Sequence, residues 1–247
     1  MASPVFTKDA RFSENAITTT VSNGEVMTIE NTVQKAVGLF AILLVGAGVG
    51  WLLMPPVLLL PSVLVGLVLG LVNVFKKEIS VPLIVAYAAV EGLVVGAISG
   101  IFEGIYPGVV AQAVIATLCV LGVVLALFAS GKIRESARAT KIFLVATLGY
   151  VLFSLVNFVL MATGAIDGMY GVRGMEIGNT GIPLGVPLGI LAILLASYSL
   201  VMDFTYIQQG ARNNLPAKYG WRGAFGLMVT IVWLYLEILR LLGIMRN

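Results

Sequence analysis

The stretch VWLYLEILRLLGI, residues 232–244, is apolar enough to lie in lipid and yet carries Glu237 and Arg240. A charged side chain at the centre of a membrane helix costs about 2.5–3.5 kcal/mol on insertion scales. A span that keeps two of them needs a reason for each. The rest of the chain leaves no doubt that this is a span. Of its 247 residues, 59% are hydrophobic and only 11% charged, and the mean hydropathy is +1.03. Those values lie far outside the soluble range and predict an all-α polytopic membrane protein.

A bilayer core of about 30 Å needs about 20 apolar residues of helix. Windows of that kind fall near 33–54, 56–75, 81–102, 108–130, 142–163, 182–207 and 225–244, predicting seven transmembrane helices. Pro55-Pro56 mark the first turn, Lys76-Lys77 end the second helix, Pro107-Gly108 open the fourth, and SGKIRESARATK forms a charged connector. Residues 1–31 read as a polar, mobile cytoplasmic tail with a short amphipathic turn, and 32–247 as the membrane domain. Twelve of the fifteen basic residues fall in the tail with Lys35 and in alternate connections; Arg173, Arg240 and Arg246 are the exceptions. This asymmetry predicts a cytoplasmic N-terminus and an external C-terminus.

Gly92, Gly96, Gly100 and Gly104 recur every fourth residue, and Gly46 to Gly50 and Gly66 to Gly70 repeat the spacing. Such ridges let helix backbones approach closely, with a gate hinge as the functional alternative. AIDGMYGVRGMEIGNTG, residues 165–181, reads as an external glycine-rich loop without calcium-loop spacing. Cys119 stands alone in an apolar run and is expected to be an inert core thiol.

Four helices carry polar stripes at steps of three or four residues. Ala196, Ser199 and Tyr206 share a face with Asp203 on the sixth helix; Thr230, Trp233, Glu237 and Arg240 align on the seventh. Tyr150, Ser154 and Asn157 align on the fifth, and Glu91 lies one turn beyond Tyr87 on the third. Glu91, Asn157, Tyr150, Ser154 and Thr230 are thus candidate pathway-lining residues. Bland readings stand beside these. Glu237 and Arg240, three apart, can neutralise each other; Asp203 can reach the cytoplasmic surface; Asn157 can be interhelical glue. If Asp203 and Glu237 instead approach, two carboxylates in a low-dielectric site share a proton and form a pH sensor. Deprotonated, the pair offers the oxygen ligands a hard cation prefers, which makes Asp203 and Glu237 a candidate transient metal site.

WLYLE at 233–237, SYSLVMD at 197–203 and EGLVVGAISG at 91–100 resemble the last-, sixth- and third-helix motifs of the Bax inhibitor-1/YccA-like family. The opening SPVF and MTIENTVQKAVGL also look like its prokaryotic branch, so the likeness runs along nearly the whole chain. The resemblance implies seven helices with the last at the centre. It also implies a calcium leak under pH control by an acidic pair in helices six and seven, here Asp203 and Glu237. An alignment anchored on Arg240 and LLGI places Thr230 at the second acidic position instead.

The leading expectation is therefore a pH-sensitive cation leak in a prokaryotic plasma membrane, with Asp203, Glu237 and Arg240 as sensor and gate. Calcium is the permeant ion, and protons and the bilayer are its other partners. A non-channel regulator of a membrane partner, such as a quality-control protease, is the alternative. Catalysis is not expected. The chain has no histidine, no Gly-x-Gly-Asp around Asp203, and in ASGKI no phosphate-binding loop. No resident cofactor and no nucleic-acid partner are expected, and oligomeric state is left open.

Overall fold

The computed structural model describes residues 25–247, so most of the expected tail and its amphipathic turn lie outside the described residues. Seven helices follow: α1 (Ile29–Leu53), α2 (Leu59–Phe75), α3 (Val81–Ile105), α4 (Val109–Ala129), α5 (Ala137–Ala162), α6 (Gly185–Arg212) and α7 (Tyr219–Arg246). A 3₁₀ turn at Pro56–Leu58 leads into α2, and together they make a span of 20 residues. All seven are long and apolar enough to cross a membrane. Among the described residues the β-structure is two isolated bridges, Val26 with Pro216 and Glu176 with Pro183.

The helix ends extend beyond the hydropathy windows for local reasons. Ser136 caps α5 by accepting a hydrogen bond from the Ala139 amide at 3.2 Å, so the polar ARATK segment forms the helix's first turns. α7 starts at Tyr219 rather than near Phe225, and α6 runs on to Arg212. α1 begins at Ile29 behind a reciprocal cap in which Thr28 Oγ1 accepts from the Asn31 amide and Asn31 Oδ1 from the Thr28 amide.

The chain divides into two compact units. The first comprises the described residues to Ile101 with Leu200–Val232: α1, α2, most of α3, the end of α6 and the start of α7. Its α1–α3 contact is a glycine interlock. A Cβ at Gly46 would stand 2.7 Å from the Ala89 carbonyl oxygen, and one at Gly50, Gly92 or Gly96 would run into the facing backbone. Tight packing therefore accounts for these four positions. Gly104, the last of the ridge, has nothing within 4 Å and does not belong to the interlock.

Residues 25–28, expected in the mobile tail, are anchored within this unit. The Met27 amide donates to the Leu215 carbonyl at 2.6 Å, and the Ala217 amide to the Glu25 carbonyl at 2.8 Å. Lys35 Nζ donates to the Ala217 carbonyl at 2.7 Å, and Met27 packs with Tyr206, Ile207 and Tyr219. An apolar Met at this position gains more by burial than the polar composition around it suggests. Arg222 Nη2 donates to the Lys76 carbonyl at 3.0 Å, satisfying the C-terminus of α2.

The second unit comprises Phe102–Ser199 and Trp233–Asn247. Glu103 accepts from the Gly108 amide at 2.6 Å and the Val110 amide at 3.1 Å, placing a carboxylate on the N-terminus of α4. Arg246 reaches the same turn through the Pro107 carbonyl at 2.9 Å. Tyr198 on α6 meets Thr140 on α5, oxygen to oxygen at 3.0 Å. Cys119 is exposed on α4, contrary to the core position expected of it, because it falls on the outward face of a helix apolar all round.

Candidate functional site

Enclosure by protein decides which helices tolerate charge. Half of the apolar window of α6 and 56% of that of α7 is buried, against 39% or less for the other five. The buried polar side chains on these two helices, among them Ser199, Asp203, Thr230 and Glu237, meet protein rather than acyl chains, the setting in which intramembrane charge is tolerated.

In the first unit, Asp203 on α6 is 2% exposed, and its Oδ2 accepts from Thr230 Oγ1 on α7 at 2.6 Å. That short bond is the one hydrogen bond made by Asp203, and no ion pair reaches it among the described residues. No fixed counter-charge to that carboxyl group lies among the described residues. Ala196, Ser199 and Tyr206 on the same face are buried as their spacing predicts. Glu91 is half-buried on α3. It lies one turn beyond Tyr87, and its Oε2 stands 3.3 Å from where a Cβ of Gly66 on α2 would lie. Tyr87 is held in turn by an edge-on contact with Phe225 on α7, ring centroids 5.1 Å apart.

The second acid of the expected pair, Glu237, belongs to the second unit. It lies seven residues beyond Thr230, two turns or about 10 Å further along α7. Arg240 Nη1 donates to both its oxygens, at 2.8 and 2.9 Å, and Trp233 Nε1 to Oε1 at 3.3 Å. Arg240 Nη1 also reaches the Tyr150 hydroxyl at 3.3 Å. Glu237 is 4% exposed, whereas the Arg240 side chain is 35% exposed.

Tyr150 and Ser154 on α5 face a residue absent from the sequence-derived site. Arg173, in the loop between α5 and α6, is 5% exposed and donates through Nη2 to the Tyr150 hydroxyl at 2.9 Å and to Ser154 Oγ at 2.7 Å. Its guanidinium lies over the rings of Tyr150 and Phe153, 5.1 and 5.7 Å from their centroids. The available signal was that Arg173 breaks the alternation of basic connections. Asn157 holds this loop: its Oδ1 accepts from the Val172 amide at 2.7 Å and its Nδ2 donates to the Tyr170 carbonyl at 3.3 Å. Both ends of its amide are thus spent on loop backbone, so it acts as a clamp in this structure. Gly171 makes the clamp possible. Its φ is +55°, and a Cβ there would come within 2.6 Å of Asn157 Oδ1.

Burial pushes the Tyr170 hydroxyl well above the usual phenol range, helped by its bond to the Tyr106 hydroxyl at 3.4 Å. It therefore stays a neutral donor. Among the described residues no group of three or more Cys, Asp or Glu is arranged to hold a metal ion.

A sequence model of a protein family described as Bax inhibitor 1 like matches residues 3–247. No curated protein matches the chain.

Proposed function

Because the chain belongs to the Bax inhibitor 1-like family, we propose that it is a pH-sensitive cation leak, with calcium as the permeant ion and Asp203 as the titrating group. The observation that carries this reading is a buried carboxyl group between two enclosed helices with one hydroxyl as its partner. Protonated, Asp203 is neutral and the α6–α7 contact through Thr230 is at ease. Deprotonated, it leaves a buried charge without a counter-ion, which disfavours this packing and favours one that admits water and a cation. The released-proton state gains as pH rises, so the flux rises with pH.

Glu237 has a separate part. Its charge is already met by Arg240, and the pair holds α7 to Tyr150. Glu91 lies along the path as a further oxygen ligand. On this reading the protein sits in a prokaryotic plasma membrane with its N-terminus cytoplasmic, and it performs no catalysis.

Calcium uptake into dye-loaded liposomes between about pH 5 and 8 tests the proposal. Wild-type protein gives a flux that rises with pH; Asp203→Asn gives a flux that no longer responds to pH. A pH profile unchanged by Asp203→Asn overturns the role of Asp203. Absence of flux at any pH, with folded protein, overturns the leak and leaves regulation of a membrane partner as the reading to pursue.

A further inference from the structure

A cavity of about 410 Å³ opens in the second unit between α5, the α5–α6 loop and α7, with Tyr150, Ser154, Arg173, Glu237 and Arg240 in its lining. Its charges do not balance. Two guanidinium groups face one carboxylate, and that carboxylate is taken up by Arg240. Arg173 has two neutral hydroxyls and two aromatic faces, and its buried Nε has no hydrogen-bond partner among the described residues. Asp167 and Glu176, the carboxylates of its own loop, are exposed, and no ion pair to Arg173 is found among the described residues. Asn157 is neutral and is held by the loop backbone, so it supplies no counter-charge.

A buried guanidinium without a counter-ion is expensive, because desolvation is not repaid by an opposite charge. The aromatic faces of Tyr150 and Phe153 recover only part of this. The remaining deficit is one negative charge beside a space with room for several waters, each of about 30 Å³. We propose that this cavity binds a small monovalent anion, a halide or a carboxylate, on Arg173. The shared chemistry is a compact negative charge accepting N–H donors, and a lipid phosphate reaching in from the bilayer would satisfy it as a free ion does. The site needs no flux through the protein and stands apart from the leak proposed above.

The test is ³⁵Cl NMR on the full-length protein in phosphatidylcholine nanodiscs. A chloride ion exchanging with the cavity broadens the resonance beyond that of empty discs. The excess saturates as chloride is raised, falls severalfold when acetate is added, and is lost in Arg173→Gln but kept in the exposed-residue control Arg246→Gln. Repeating the titration in dodecyl maltoside micelles, which carry no phosphate, separates the sources: an excess that appears or grows severalfold there identifies a lipid phosphate as the occupant in the discs, and an unchanged excess a free anion. Wild-type protein without a saturable excess in either medium overturns the proposal, whether or not the Arg173 variant folds. So does an excess that survives Arg173→Gln.

Discussion

Thr230→Val replaces a hydroxyl by a methyl of nearly the same shape and deletes the 2.6 Å bond to Asp203. A hydrogen bond to a charged group contributes about 1.5–3 kcal/mol and one between neutral groups about 0.5–1.5 kcal/mol. The Thr230–Asp203 bond should therefore be stronger when Asp203 is ionised than when it carries a proton. Thr230 has further contacts, so the single variant overstates the pair. A double-mutant cycle with Asp203→Ala removes that excess, because contacts made by Thr230 to other groups cancel. Equilibrium unfolding in mixed micelles with dodecyl sulfate, followed by circular dichroism at pH 5 and pH 8, measures each corner. The expected coupling is about 1 kcal/mol at pH 5 and about 2 kcal/mol at pH 8. A coupling below about 0.3 kcal/mol at both pH values, within ordinary additivity error, refutes the bond's importance. A coupling that is large but equal at the two refutes the titration of Asp203.

The glycine interlock predicts opposite outcomes from one kind of change. Gly50→Ala drives a Cβ into the Leu93 backbone and should cost about 1–3 kcal/mol, while Gly104→Ala, in open space, should be neutral or stabilising by up to about 1 kcal/mol in the same unfolding assay. Arg240→Gln should destabilise more than Glu237→Gln. The first leaves a buried carboxylate, a loss of about 3 kcal/mol at most, whereas the second leaves a one-third-exposed arginine that reaches water; the reverse order in unfolding midpoints would refute the assignment. Gly171→Ala, at φ +55° against Asn157, should cost about 2 kcal/mol or more and expose residues 165–181 to limited proteolysis.

Seven spans were legible because burial in lipid selects apolar residues along a whole helix, and hydropathy averages over exactly that length scale. Helix ends were not. The turns at Tyr219–Ala224 and Ala137–Lys141 are helical through caps and packing, and average as polar. The buried faces of α6 and α7 were legible from steps of three and four, since Asp203, Thr230 and Glu237 are all enclosed. Depth was not, because Thr230 and Glu237 lie two turns apart on one face and periodicity assigns both the same direction. The motif favoured Glu237 opposite Asp203, and the alternative register on Arg240 favoured Thr230; a hydroxyl 2.6 Å from the carboxylate shows which residue bonds to it. Arg173 was hidden for another reason. Loop composition reports solvent, and this arginine is drawn inward by two hydroxyls on a helix more than fifteen residues away, a tertiary effect without a local signature.

The bonds from Met27 and Lys35 to Leu215 and Ala217 tie the first helix to the connection before the last. A ribosome delivers these partners far apart in time. At about 5–20 residues per second, the end of α1 is synthesised roughly 8 to 30 seconds before Leu215. The capped N-terminus of α1 must wait with the Met27 amide and the Lys35 ammonium satisfied by water or headgroups. Nascent chains arrested before Leu215 should therefore leave residues 25–28 open to protease, and chains arrested beyond Tyr219's emergence should close them, which leaves the front of this unit incomplete until the chain beyond the sixth helix has emerged.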